Sequence, residues 1–289
     1  MEFLRPASWR EALEAKAAQP DATPIAGGTD VMVEINFGQR RPSALLDLTR
    51  IPELTGWSEV AGRLRIGAGL SYTRLIDELG DRVPGLAIAS RTVGSPQIRN
   101  RGTLGGNLGS ASPAGDGHPP LLASDARIEV ESLRGTRLIP AMEFFTGVKR
   151  NALAEDELIA AVHIAPATGP QQFSKVGTRN AMVIAVCTFA IALHPERQQV
   201  GTGIGSAAPT PLRALEAEAF LNAELDWERR RPLVDSTAHR FGELVAQAAA
   251  PIDDVRGTAD YRRHALAVMA RRTLSWVWQE HCSGRQECA

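Results

Sequence analysis

Apolar residues recur at helical spacing near the start of the chain, where Trp9, Leu13 and Ala17 share one face of "SWREALEAKAAQP". Ser8 in front and Glu11 three residues on form a capping box, so a helix is expected from Trp9 until Pro20 ends it. "TPIA" then reads as a short buried strand, and "VMVEINFG" as a helix stopped by Gly38. "SALLDL" and "LRIGAGL" read as strands, "SYTRLIDELG" as a capped helix ending at Gly80, and a further helix is expected from about Gly85 to Thr92. "ARIEVESLRGTRLIP" alternates on two arms around an Arg-Gly turn, the pattern of a hairpin. Between these, residues 101–118 ("RGTLGGNLGSASPAGDGH") are rich in glycine and lack both periodicities, so they are expected to be irregular.

Around Pro166–Pro170 the composition changes to "APATGPQQ", the strongest candidate for a domain boundary. Three strand-like runs follow, "QFSKVG", "MVIAVCTFAIAL" and "QVGTGIGSA", and then helical patterns at roughly 211–223, 232–249 and 258–281. Strands with interleaved helices, then strands followed by helices, argue an α+β protein of two or three subdomains.

Length and composition narrow the class. The chain has 289 residues, 44% of them hydrophobic and 22% charged, as in an ordinary globular protein. A formal net charge of −1 gives no long-range pull toward nucleic acid or an anionic membrane. Three cysteines cannot all pair; Cys187 sits in an apolar run as a small core residue, while Cys282 and Cys288 lie in a polar tail without metal-ligand spacing. No signal peptide opens the sequence and no segment reaches membrane-spanning length, so the cytoplasm is the expected compartment. The longest apolar run, at about 181–193, is β-rich and reads as a buried strand.

Two loops carry the candidate chemistry: "AGGTD" at 26–30 and "RGTLGGN" at 101–107. Neither is a dinucleotide fingerprint or a Walker loop. A Gly-Gly pair lets the main chain approach a ligand closely and turn N–H groups inward as an anion nest. Thr29 and Thr103 could add hydroxyl donors, so two such loops facing each other suit a pyrophosphate without any basic residue. Two ordinary turns would use the same residues, and Asp30 would complement a helix dipole with or without a ligand. If phosphate binds there, the Asp30 carboxylate must point away.

"PIAGGTDVMVEI" followed by "SPQIRNRGTLGGNLGSASPAGDGHPPLLASDARIEV" resembles the FAD-binding subunit of the molybdenum hydroxylases, the xanthine dehydrogenase and carbon monoxide dehydrogenase family. The likeness continues through "FFTGVKRNALAEDELIAAVHI", "FSKVGTRNAMVIAV", "GSAAPTPLRALEAEAFL" and "YRRHALAVMARRTL", nearly the whole chain in order. It implies an α+β, two-subdomain FAD-binding fold of the vanillyl-alcohol-oxidase type, expected at 1–55 and 56–168, followed by a C-terminal subdomain at 169–289 with a three-stranded antiparallel sheet and helices.

The resemblance also implies a site. Ile25, Ala26, Gly27, Gly28, Thr29, Asp30 and Val31 on one side, with Gly102, Thr103, Gly106, Asn107 and Gly109 on the other, would grip the FAD pyrophosphate. Ser112, Gly115 and Asp116 belong to "SASPAGD", with Asp116 accepting from a ribose or ribityl hydroxyl. Val93, Ile98 and the neighbouring Gly94 would pack near the flavin, Ile159 would lie close to the cofactor, and Lys175 would stand near a polar edge of the ring or be a solvated strand residue. His118 reads as a surface polar residue, and Val183 replaces an aspartate frequent in the family. Neither loop holds a histidine or cysteine for covalent attachment, so the FAD is expected to be non-covalent, and no residue here need act as nucleophile or base.

Three scattered cysteines exclude a four-thiolate cluster. Molybdopterin and two [2Fe–2S] clusters are therefore expected on partner chains, a large molybdenum subunit and a small iron–sulfur subunit, arranged as a heterotrimer and then a dimer of heterotrimers. Electrons would leave through FAD to NAD, a quinone, ferredoxin or oxygen. The wording is most similar to bacterial xanthine dehydrogenase FAD subunits, which implies a purine substrate; carbon monoxide, aldehydes and N-heterocycles are the alternatives. A free-standing FAD-dependent enzyme on the same fold is the rival class.

Overall fold

The computed structural model describes residues 1–284. In the first unit Ser8 caps α1 (Trp9–Ala18) by accepting from Glu11 N, and Glu11 Oε2 accepts in return from Ala7 N at 2.8 Å. Around α1 lie β1 (Glu2–Leu4), β2 (Thr23–Ile25), α2 (Val31–Asn36) and β3 (Ala44–Asp47). The three strands form a parallel sheet in the order β1-β3-β2, and β3 is wholly buried. Gly38, at φ +68°, takes the chain out of α2 in a conformation that an L-residue adopts only with strain.

A second layer begins with β4 (Trp57–Val60) and β5 (Arg63–Gly67). Five helices follow: α3 (Tyr72–Leu79), α4 (Pro84–Arg91), α5 (Pro96–Arg101), α6 (Leu104–Ser110) and α7 (His118–Ala123). The chain then returns through β6 (Arg127–Ser132), β7 (Gly135–Pro140), α8 (Ala141–Phe144), the short hairpin β8 (Phe145–Gly147) and β9 (Arg150–Asn151), and β10 (Leu158–Ile164). The antiparallel sheet runs β4-β5-β10-β6-β7, with β6 and β7 the expected hairpin around Arg134–Gly135. Its central strand, β10, lies in "ELIAAVHI", buried on both faces and so without the alternation that marks a half-exposed strand. One apolar core, from Ala12 to Ile164, joins this sheet to the first unit.

The last part holds an antiparallel sheet of β11 (Gln171–Val176), β12 (Cys187–His194) and β13 (Gln199–Gly205), packed on α9 (Leu215–Glu224), α10 (Asp235–Ala248) and α11 (Ala259–Ser283). Its core runs from Cys187 to Trp278. β12 is shorter than the apolar run predicts: Met182 takes φ +50°, and Met182 and Ile184 are exposed at 57% and 62%. No helix of the described residues is long and apolar enough to cross a membrane.

The glycine-rich segment departs most from expectation, because α6 lies within residues 101–118, where an irregular run is predicted, and α5 and α7 flank it. Local signals specify their starts. Ser95 caps α5 ahead of Pro96, and Thr103 caps α6 by accepting from Gly106 N at 3.0 Å. Two cysteine assignments also separate. Cys187 is fully buried, and burial pushes its thiol up to about 12. Cys282 is not in a polar tail but in the last turn of α11, its Sγ 3.1 Å from Arg230 O, while Cys288 lies outside the described residues.

Candidate cofactor site

The two glycine loops meet. A Cβ on Gly27 would sit 1.9 Å from the Arg101 carbonyl oxygen, so only glycine allows the first loop to lie against the turn between α5 and α6. Ser110 Oγ donates to Asp30 Oδ2 at 2.7 Å, pulling that carboxylate toward the far end of α6. Asp30 is the N-cap residue of α2 but its side chain makes no cap bond, so it neither faces the inside of its own loop nor completes that helix.

The donors divide unevenly between the loops. Among the described residues, the amides of Gly27, Gly28, Thr29 and Asp30 donate to no protein acceptor. In the second loop the amides of the glycine pair are engaged: Gly105 N donates to Ala68 O at 2.9 Å and Gly106 N to Thr103 Oγ1. The expectation that a Gly-Gly pair turns its own N–H groups inward as an anion nest therefore does not hold for Gly105 and Gly106. The first loop offers main-chain N–H groups, and the second offers side chains, Thr103 and Asn107. Gly105 and Gly106 also differ: a Cβ on Gly105 would press within 2.5 Å of Ala68 Cβ, whereas one on Gly106 would meet only Thr103 Oγ1, at 3.0 Å. Gly109 opens the same way, its nearest neighbour being Ile159 Cδ1 at 4.0 Å from β10. Ile25 and Ala26 lead into the first loop and Val31 leaves it, all partly exposed, while Gly102 is buried behind α6 with its amide on Ile98 O.

Below the loops lies a buried ion pair. Lys175 Nζ, on β11, donates to Asp116 Oδ2 at 2.5 Å and to Thr92 O at 3.2 Å, and Thr92 Oγ1 donates to the same carboxylate oxygen at 3.2 Å. The two charged side chains are 10% and 7% exposed, so Lys175 is not a solvated strand residue. Burial holds the Asp116 carboxyl above its ordinary range against the pull of Lys175 and Thr92. Among the described residues Asp116 Oδ1 has no hydrogen-bond partner, and neither do the buried Asn107 Oδ1 and Tyr72 Oη. Val93 and Gly94 stand beside this pair, their carbonyls accepting from Arg99, and Ile98 packs on Gly94 with 37% of its surface open. Ser112 is partly exposed and accepts from Ala114 N, while Gly115 is turned inward.

The expectation for His118 is overturned: it is fully buried rather than a surface residue. Its Nε2 lies 3.1 Å from Asn107 O, and its ring packs on Phe145 at 4.5 Å between centroids. A Cβ on Gly115 would fall 2.3 Å from that ring, so Gly115 is a packing glycine behind the site. Burial pushes the imidazole down to about 4, which keeps it neutral and leaves Nε2–H as donor to the Asn107 carbonyl. Sequence reasoning also missed Tyr72 and Thr92. Both fall on ordinary helix patterns, and nothing local distinguishes them.

Comparison with known proteins agrees with this geometry. Residues 1–167 match the family described as the FAD binding domain in molybdopterin dehydrogenase, and residues 172–277 match the CO dehydrogenase flavoprotein C-terminal domain. The chain is 32% identical to the xanthine dehydrogenase FAD-binding subunit of Escherichia coli O157:H7, with 94% of each chain covered. It is 30% identical to the nicotine 6-hydroxylase medium subunit of Paenarthrobacter nicotinovorans, covering 94% of this chain and 95% of that one. Among solved structures, a carbon monoxide dehydrogenase from Hydrogenophaga pseudoflava superposes with a TM-score of 0.89 at 28% identity, covering 97% of this chain and 98% of that chain. Sequence, fold and paired glycine loops together place the chain in the family of FAD-binding medium subunits of the molybdenum hydroxylases, an oxidoreductase family whose remaining cofactors reside on partner chains.

Proposed function

We propose that this chain takes electrons from the [2Fe–2S] clusters of a small partner subunit and passes them through non-covalently held FAD to an external acceptor such as NAD, while a large molybdopterin-containing subunit oxidises the substrate. The observation that carries the reading is the meeting of the loops at Gly27 above a set of unpaired groups. The amides of residues 27–30 are unspent donors, and Asn107 and Asp116 each keep a buried oxygen without a partner. A pyrophosphate needs donors and a ribityl chain offers hydroxyls, so each half of the set fits a different part of FAD.

Bound FAD supplies the exchange between single-electron carriers and two-electron acceptors, and the protein supplies binding, orientation and electrostatics. In this reading the amides of Gly27 to Asp30 and the hydroxyls of Thr29 and Thr103 hold the pyrophosphate. Asp116 accepts from a ribityl or ribose hydroxyl through Oδ1, its other oxygen being occupied by Lys175 and Thr92. Ile25, Ala26, Val31, Gly102, Gly106, Gly109 and Ser112 line or back the cradle, and Val93, Ile98, Ile159 and Lys175 surround the flavin end. We divide the chain into subdomains 1–55, 56–168 and 169–289, a division supported by the separation of the β1-β3-β2, β4-β5-β10-β6-β7 and β11-β12-β13 sheets. A purine substrate is supported by the likeness to the xanthine dehydrogenase subunit, and a cytoplasmic dimer of heterotrimers completes the proposal.

The test is an absorption spectrum of the chain with its co-purifying partners, repeated after heat release and filtration. FAD in the filtrate with iron–sulfur absorbance left on the complex is the expected result, and in the unheated complex the flavin should bleach on adding xanthine. Bleaching by nicotine-like heterocycles, aldehydes or carbon monoxide instead would reassign the substrate. Flavin on a chain without partners that turns over its own substrate would replace the reading by a free-standing enzyme.

A further inference from the structure

Tyr72 is 2% exposed, yet its hydroxyl has no hydrogen-bond partner among the described residues. Its backbone N donates to Gly102 O at 3.0 Å, and a Cβ on Gly102 would stand 3.4 Å from Tyr72 Cδ2, so the ring lies beneath the turn that opens α6. Ser71, which caps α3, bridges to Thr103 and fixes the same junction. The phenol then reaches the far side of α6. A Cβ on Gly117 would lie 3.4 Å from Tyr72 Oη and 2.9 Å from Asn107 Oδ1, so both unpaired oxygens face one glycine.

An unpaired buried hydroxyl is costly, and phenylalanine would fill this place more favourably if packing were the only demand. Burial, with the Asp116 and Asp30 carboxylates nearby, pushes the phenol well above its ordinary range, so it remains a proton donor. Asn107 presents the complementary problem. Its amide accepts at one end and donates at the other, and a phosphate can only accept. The residue is partly exposed but its Oδ1 is buried, which turns the acceptor end toward Tyr72 and leaves the donor end for the cradle.

We propose that Tyr72 is a positioning residue for the cofactor: with FAD bound, its O–H donates to Asn107 Oδ1 and so holds Asn107 Nδ2 toward the pyrophosphate. This rests on the FAD site proposed above. The test uses the full chain stripped of flavin, titrated with FAD and followed by quenching of flavin fluorescence, for wild type, Tyr72→Phe, Asn107→Ala, the double variant and Gly106→Val. Tyr72→Phe should weaken FAD binding about fivefold, the worth of one neutral hydrogen bond. Asn107→Ala should weaken it at least as much, with the double variant no worse than Asn107→Ala alone. FAD-free Tyr72→Phe should melt at or above the wild-type temperature, which separates positioning from a folding defect. Wild-type FAD affinity in Tyr72→Phe, or effects that multiply in the double variant, would overturn the proposal. Wild-type affinity in Gly106→Val as well would remove the site reading beneath it.

Discussion

Gly105 and Gly106 are neighbours with opposite demands. Gly105 is closed in by Ala68, whose Cβ and carbonyl oxygen would lie 2.5 and 2.7 Å from any added Cβ, while Gly106 opens to solvent past Thr103 Oγ1. Gly105→Ala should therefore destabilise the FAD-free chain by about 1–3 kcal/mol through overpacking. Gly106→Val should leave the melting temperature of the FAD-free chain nearly unchanged but abolish flavin retention, as measured by FAD recovered per chain after gel filtration. A variant of Gly106 that keeps stoichiometric FAD would show that this face of α6 does not meet the cofactor. His118 supplies a pH test at the same scale. Its imidazole sits at about 4 in the folded chain and near the ordinary 6.5 when unfolded, so the unfolded state takes up the proton first as pH falls. The contribution is complete above pH 6.5 and lost between there and 4, about 3 kcal/mol for this one group. Denaturant unfolding across that window should show the loss, and His118→Gln should flatten this part of the profile.

At the level of elements, α6 links a capping residue to the candidate site. Thr103 closes its first turn by accepting from Gly106 N, and a Cβ on the preceding Gly102 would lie 3.6 Å from Thr29 Oγ1 of the first glycine loop. Thr103→Ala should cost about 1 kcal/mol of stability and weaken FAD retention together, while Thr103→Ser should restore both, as read by melting temperature and FAD titration. Periodic elements were legible in the sequence: α1, α3, the β6–β7 hairpin and the three C-terminal helices follow from apolar spacing and caps. α6 was not, because Gly105, Gly106 and Gly109 each oppose a helix by close to 1 kcal/mol and only contact with Ala68 and the Thr103 cap overcomes that. β10 hid for the opposite reason: buried on both faces it has no alternation to read, and its apolar run, ended by His163, is too short to stand out as that of β12 does. The loop residues at 26–30 and 101–107 were legible by composition, but the unequal division of their amides was not. It depends on Ala68, a residue of the turn after β5 with no local signature.

Across the whole molecule, the candidate site straddles the two cores. Asp116 and Thr92 belong to the N-terminal part and Lys175 to β11 of the C-terminal sheet, so their ion pair is a link between them. It is not alone, for Gly85 N donates to Gln171 Oε1 at 3.1 Å, and Ala89 and Ala123 pack with Phe173, Ala190 and Ala192 in a small apolar cluster on the same seam. The apolar contacts hold the parts together without specifying charge, whereas the Lys175–Asp116 pair leaves a buried carboxylate wherever the lysine is lost. Lys175→Met should accordingly destabilise the FAD-free chain by about 3 kcal/mol, the cost of an uncompensated buried charge rather than the net worth of the bridge. The double change Lys175→Met with Asp116→Asn removes that charge and should recover most of the loss in urea unfolding. FAD affinity separates the roles of the pair. If Asp116 serves the cofactor through Oδ1, the stability-repaired double variant should still bind FAD more weakly than wild type. If it binds FAD normally, the pair joins the two halves of the fold and nothing more.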